Sequence, residues 1–115
     1  MMVARLQRYR RAAAERQKWR CHYCQCPIWE DEPDAFSQRY GLTLRQAKLL
    51  RCTAEHVTAR CDGGTDAAEN LVASCLFCNR TRHKANRPKQ ALLYLAYVRN
   101  RMRLGRWHSF RPAFS

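Results

Sequence analysis

The sequence predicts a small α+β domain: a short strand-and-helix core with two cysteine knuckles, flanked by an N-terminal and a C-terminal helix. Three observations predict it. The chain has 115 residues, enough for one domain and cramped for two. Two Cys-x-x-Cys pairs, Cys21–Cys24 and Cys75–Cys78, lie far apart in the chain. Short β-prone runs sit between segments of helical composition. The expected organisation of this single domain is a basic helical arm at 1–20, a core at 21–87, and a helix with a basic tail at 88–115.

Residues 3–18 are rich in Ala, Arg, Gln and Glu without Gly or Pro, which predicts a helix. Its apolar content is thin, so weak packing and a basic face are expected. Residues 19–29 form the first knuckle between Trp19 and Trp29. Residues 30–41 read as an acidic loop ending at Gly41. Thr43 reads as the N-cap of a short helix from Leu44 to about Leu50. The run 53–59 reads as a strand, and 61–66 as a loop with the Gly63–Gly64 pair. Residues 70–73 are short and apolar and lead into the second knuckle. A basic helix is expected at 76–85. Pro88 suits the first turn of a last helix over 88–104, with Ala91, Leu95, Val98 and Met102 on its core face and Leu92 beside them.

Charge narrows the function classes. Lys plus Arg is 22 and Asp plus Glu is 9, a net +13. After Glu69 there is no acidic residue, and both ends of the chain are basic. An acidic solvating protein is excluded, and a 46% hydrophobic content argues against a disordered tail. No apolar run reaches the roughly 20 residues of a membrane helix, so no membrane role is expected. The N-terminus lacks the apolar centre of a secretory signal; an Arg-rich transit peptide is the alternative there. A basic surface of this strength points to a polyanion, most simply nucleic acid.

The seven cysteines are 21, 24, 26, 52, 61, 75 and 78. An odd count without a secretory signal argues against a disulfide framework. Two knuckles supply the four thiolates of a tetrahedral structural Zn²⁺, expected at Cys21, Cys24, Cys75 and Cys78. Cys26 is a possible competitor but reads as a small turn residue beside Pro27. Cys52 and Cys61 read as small core residues. His22 reads as exposed, and His108 has no local support for a role.

The run 55–84 carries the chemistry. Asn79 and His83 are four apart and share one helix face. With Glu55 from the strand they offer carboxylate oxygen, amide oxygen and imidazole nitrogen to a divalent cation, Mg²⁺ or Mn²⁺. Neighbouring strand side chains diverge, so His56 need not bind the same ion. It suits the deprotonation of water beside a phosphate. Arg80, Arg82, Lys84 and Arg87 are candidate phosphate contacts.

The Glu-His pair, the Gly-Gly turn, Asn70-Leu71-Val72 and Cys75-x-x-Cys78-Asn79 resemble the HNH (ββα-metal) endonuclease family. The resemblance implies a two-stranded hairpin and a helix around one catalytic cation. It implies His56 as general base, Asn70 as the loop brace, and Glu55 as the metal ligand before the base. Asn79 takes the position of the third family letter, and His83 that of an extra helix ligand. Glu before the base, where Asp or His is more common, and Asn at position 79 place the metal's identity in question. The zinc would fix the start of the helix that carries Asn79 and His83. The function so implied is metal-dependent hydrolysis of DNA. Small proteins of this family commonly belong to phage, prophage, restriction or packaging systems, which implies a cytoplasmic protein of bacterial or phage origin, with a homodimer or a larger complex possible. The alternatives are a non-catalytic zinc-stabilised nucleic-acid-binding module and an RNA-binding zinc ribbon.

Overall fold

The computed structural model describes residues 2–113. Among these residues five helices surround one two-stranded antiparallel sheet. In chain order they are α1 (Met2–Arg16), α2 (Pro33–Tyr40), α3 (Leu44–Leu49), β1 (Cys52–His56), β2 (Leu71–Cys75), α4 (Leu76–Lys84) and α5 (Ala91–Arg103). Short 3₁₀ turns at Arg60–Asp62 and Ala68–Asn70 shape the loop between the strands. β1 and β2 pair from Cys52↔Cys75 to His56↔Leu71. The α+β class and the ββα order of β1, β2 and α4 agree with the sequence expectation. No helix among the described residues is long and apolar enough to cross a membrane.

α1 packs more closely than its composition suggested. Ala13 and Ala14 are fully buried, and the helix lies on both strands. Small side chains let the helix backbone approach the sheet, so a low apolar count does not mean loose packing. Just beyond α1, Gln17 accepts from the Ala73 N–H at 3.0 Å and donates to its carbonyl at 2.8 Å. One side-chain amide thus satisfies the outer edge of β2.

Glu30 holds α1 from the other side. It pairs with Arg11 and with Arg10, the latter at 3.3 Å. The Arg11 hydrogen bond holds the Glu30 carboxyl below its ordinary value. A depressed carboxyl contributes stability that is present above its unfolded value and is lost as pH falls through the folded one. Arg11 is 57% exposed, so solvent screens the pair and weakens its contribution. Glu30→Gln is expected to flatten the acid limb of thermal stability below about pH 4.3. An acid limb identical to that of the unaltered protein would remove Glu30 from this role.

The acidic stretch 30–41 is not the expected loop, because most of it is α2. Pro33 opens the helix, Asp34 sits at its positive end, and Gly41 closes it at φ 65°. Phe36 provides the buried face, against Trp29. α3 starts as expected: Thr43 accepts from the Gln46 N–H, and the Gln46 side chain accepts from the Thr43 N–H.

α5 starts at Ala91, three residues after Pro88, because Gln90 is still extended (ψ 151°). Its inner face is Ala91, Tyr94 and Val98, with Leu95 and Met102 partly buried. Leu92 is 80% exposed. The aromatic Tyr94 takes the inward place, stacking edge-on to Tyr23 with centroids 4.8 Å apart. Cys52 is buried as expected; Cys61 is exposed in the 3₁₀ turn.

Candidate active site and metal centre

Strand and helix periods meet in register on one side of the sheet. Thr53 and Glu55 are two apart on β1; Asn79 and His83 are four apart on α4. The Asn79 amide donates to Thr53 Oγ1 at 3.0 Å and to the Ala54 carbonyl at 3.3 Å. One turn further, His83 Nε2 lies 2.8 Å from Glu55 Oε1. These two rungs bring Glu55, Asn79 and His83 to one cleft of about 390 Å³, which Leu6 of α1 and His56 also line.

Glu55 is 1% exposed, and its two oxygens do different things. Oε2 accepts from the Tyr23 hydroxyl and from Arg82 Nη1, each at 2.8 Å. Oε1 faces His83. Burial, then the Glu55 charge, holds the Tyr23 hydroxyl far above its ordinary pKa, so it remains a donor.

Arg82 is therefore not an exposed phosphate contact. It is 4% exposed and donates to the carbonyls of His56 (2.9 Å), Val57 (3.1 Å) and Lys89 (3.0 Å) as well as to Glu55. The reason is its place on α4, three residues after Asn79 and facing the end of β1. A buried carboxylate without a cation beside it is costly, and Arg82 supplies that cation. Arg82→Met is expected to destabilise the protein by about 3–5 kcal/mol, read by chemical denaturation. A loss below about 1 kcal/mol, the scale of an exposed pair, would show that Glu55 is satisfied without it. Arg80, Lys84 and Arg87 do lie on the surface.

His56 diverges from Glu55, as strand geometry requires, and its Nε2 lies 2.7 Å from Asp66 Oδ1. Arg60 donates to the same oxygen at 2.9 and 3.1 Å. His56, then Arg60, holds the Asp66 carboxyl below its ordinary value. Asp66 was absent from the sequence reading. Its signal was its position two residues beyond the glycine pair, where the loop turns back. Gly64 makes that return possible: a Cβ there would sit 1.7 Å from the Thr58 carbonyl oxygen. Asn70 spans the same loop. Its side chain accepts from the Thr58 N–H at 2.8 Å and donates to the carbonyls of Thr58 (3.0 Å) and Thr65 (2.8 Å).

The sulfurs of Cys21, Cys24, Cys75 and Cys78 lie within 4.8 Å of one another, and all four residues are buried. This cluster can hold a metal ion. Burial pushes the Cys75 and Cys78 thiols up, so their thiolates call for a cation among them. Backbone N–H groups of Cys75 and Cys78 point at the sulfurs of Cys21 and Cys75, each at 3.3 Å. Gln25 takes φ 66° to turn the first knuckle. The second straddles the start of α4, with Cys75 ending β2 and Cys78 in the first turn.

The C-terminal tail returns to this cluster, which the sequence did not indicate. Trp107 donates to Cys78 Sγ, and His108 Nε2 lies against Cys24 Sγ, each at 3.3 Å. Cys26 joins Cys24 and His108 in a second group of potential ligands. His22, expected to be exposed, is half-buried against Tyr23.

No curated protein and no solved structure matches the chain. Residues 42–85 match the family model described as HNH endonuclease. That span runs from just before α3 through both strands and the Asn70 loop to the end of α4, the same elements that build the cleft and the second knuckle. Over residues 42–85 the chain is therefore similar to the HNH endonuclease family.

Proposed function

We propose that this protein is a metal-dependent endonuclease that hydrolyses phosphodiester bonds in DNA. The observation that carries the proposal is the His56–Asp66 pair beside the Glu55–His83 rung. With the Nε2 proton directed at Asp66, Nδ1 of His56 is left unprotonated and able to accept a proton. His56 takes that proton from water as the water oxygen attacks phosphorus, and the P–O bond to the leaving oxygen breaks. Asp66 keeps the imidazole in this tautomer and stabilises its charge once protonated. Glu55, Asn79 and His83 offer the mixed oxygen and nitrogen donors that suit Mg²⁺ or Mn²⁺. Such a cation supplies positive charge for the phosphate and the leaving oxygen. Arg82 and Tyr23 fix the Glu55 carboxylate so that Oε1 faces the cleft. Asn70 holds the loop that presents Asp66.

The four-cysteine cluster is read as a structural zinc site that fixes the start of α4. Arg80, Lys84 and Arg87, exposed on and after α4, and the basic face of α1 beside Leu6 would hold the phosphate backbone.

The Glu55–Arg82 ion pair favours a second reading. In it Glu55 is only a core anchor, and the protein is a zinc-stabilised nucleic-acid-binding module without catalysis. Supercoiled plasmid with Mg²⁺ or Mn²⁺, with EDTA and His56→Ala as controls, separates the two. The nuclease reading expects metal-dependent nicking or linearisation that His56→Ala loses. A folded, zinc-loaded protein that shifts DNA without cutting it under either metal would establish the second reading.

A further inference from the structure

We propose that Cys24, Cys26 and His108 form a second site for a thiophilic d¹⁰ cation, Zn²⁺ or Cd²⁺, sharing the Cys24 thiolate with the four-cysteine centre. The proposal rests on that centre holding a metal. Three ligand atoms from separate places, two in the first knuckle and one in the tail, lie within 4.8 Å of one another. Cys24 and Cys26 are 3% and 5% exposed, so both sulfurs sit in a setting that protects a metal–thiolate bond from water.

A lone supporting role for His108 leaves one fact unexplained: a single hydrogen bond to Cys24 does not require a fifth buried thiol beside it. Charge also favours a second ion. Four thiolates on one Zn²⁺ leave a net −2 in a buried place. Five thiolates with two divalent ions leave −1, and the imidazole is neutral. The sulfur-rich donor set selects soft cations over Mg²⁺ or Ca²⁺.

The site also has an entrance and room for a fourth ligand. Cys24, Cys26 and His108 border a cavity of about 350 Å³ that Gly105, Arg111 and Pro112 also line. Three protein ligands with an open position are the pattern of an exchangeable zinc site, whereas four cysteines make a closed structural one. The second ion is therefore expected to exchange faster than the first. It would also tie the tail to the first knuckle, adding a link between the end of the chain and the base of α4.

The test is metal stoichiometry of the full chain. Purified protein is titrated with Zn²⁺ under reducing conditions, passed through gel filtration, and analysed for zinc per chain. The unaltered protein is expected to hold about one equivalent more than Cys26→Ser and His108→Ala, so that any zinc held by Glu55, Asn79 and His83 cancels from the comparison. Neither residue belongs to the four-cysteine set, so both variants are expected to keep the circular dichroism of the folded protein. The protein loaded with ¹¹³Cd is expected to show two resonances, one all-sulfur and one shifted by mixed nitrogen and sulfur ligation. The second should vanish in both variants. Equal zinc content in the unaltered protein and in either variant overturns the second site and leaves the structural centre intact. No retained zinc at all overturns the structural centre and the second site together.

Discussion

His56→Ala is expected to lower the cleavage rate by about 10²–10⁴-fold while leaving DNA affinity and the fold unchanged. The loss is expected in the rate because the role proposed for the imidazole is on the attacking water, not on the phosphate backbone. The fold survives because His56 is the last residue of β1, and its ladder pairing with Leu71 is made by backbone. Asp66→Asn separates positioning from packing. Asn can accept from the wrong tautomer or donate from its amide, so Nδ1 is no longer reserved as the base. A rate loss of about 10²-fold or less is expected, with KM little changed, because in the proposed mechanism Asp66 acts through His56.

The pH profile adds an independent readout. The Asp66 carboxyl lies below its ordinary value because of His56 and then Arg60. Its pairing therefore persists above the ordinary carboxylate range and is lost only as pH falls through the lowered value. The stability that this pairing contributes is absent from Asp66→Asn at every pH, so the variant should lack the part of the acid-induced stability loss that falls below the ordinary carboxylate range. Equal cleavage by His56→Ala and the unaltered protein would overturn the assignment of the base.

Cys78→Ser is expected to cost both the folded state and cleavage. Cys78 is fully buried in the first turn of α4, immediately before Asn79. A structural zinc in a small domain contributes folding free energy of about 10–16 kcal/mol, as large as the whole stability margin of about 5–15 kcal/mol. Loss of one of four thiolates removes most of it and leaves a buried hydroxyl against the Trp107 N–H. Circular dichroism and zinc content should fall together, and chelation should reproduce the effect in the unaltered protein. A Cys78→Ser protein that stays folded and cuts normally would end the structural-zinc reading.

The legible part of this molecule was local. The two Cys-x-x-Cys spacings identified four cysteines that the fold brings within 4.8 Å. The Glu55, Asn79 and His83 pattern identified groups that meet across one strand and one helix, because periods of two and four are properties of the backbone. The Thr43 cap was read correctly for the same reason. α2 is masked in the sequence by its acidic start, and its apolar face is a single pair four apart, Phe36 and Tyr40, too short a pattern to stand out.

The remainder depended on chain reversals that no short window contains. Arg82 looked like its basic neighbours and became the buried counter-ion of Glu55, because only it faces the end of β1. Asp66 acquires its partner through a return of the loop that Gly64 permits. Ala13 and Ala14 drive close packing through their small size against a sheet placed later in the chain. Trp107 and His108 reach the cysteines only after α5 has carried the chain back across the core. Spacing thus identified the chemical groups, since ligand and helix periods are short-range. Which charges are buried, which are exposed, and which histidine meets which carboxylate were decided by tertiary packing, because desolvation and ion pairing depend on neighbours distant in sequence.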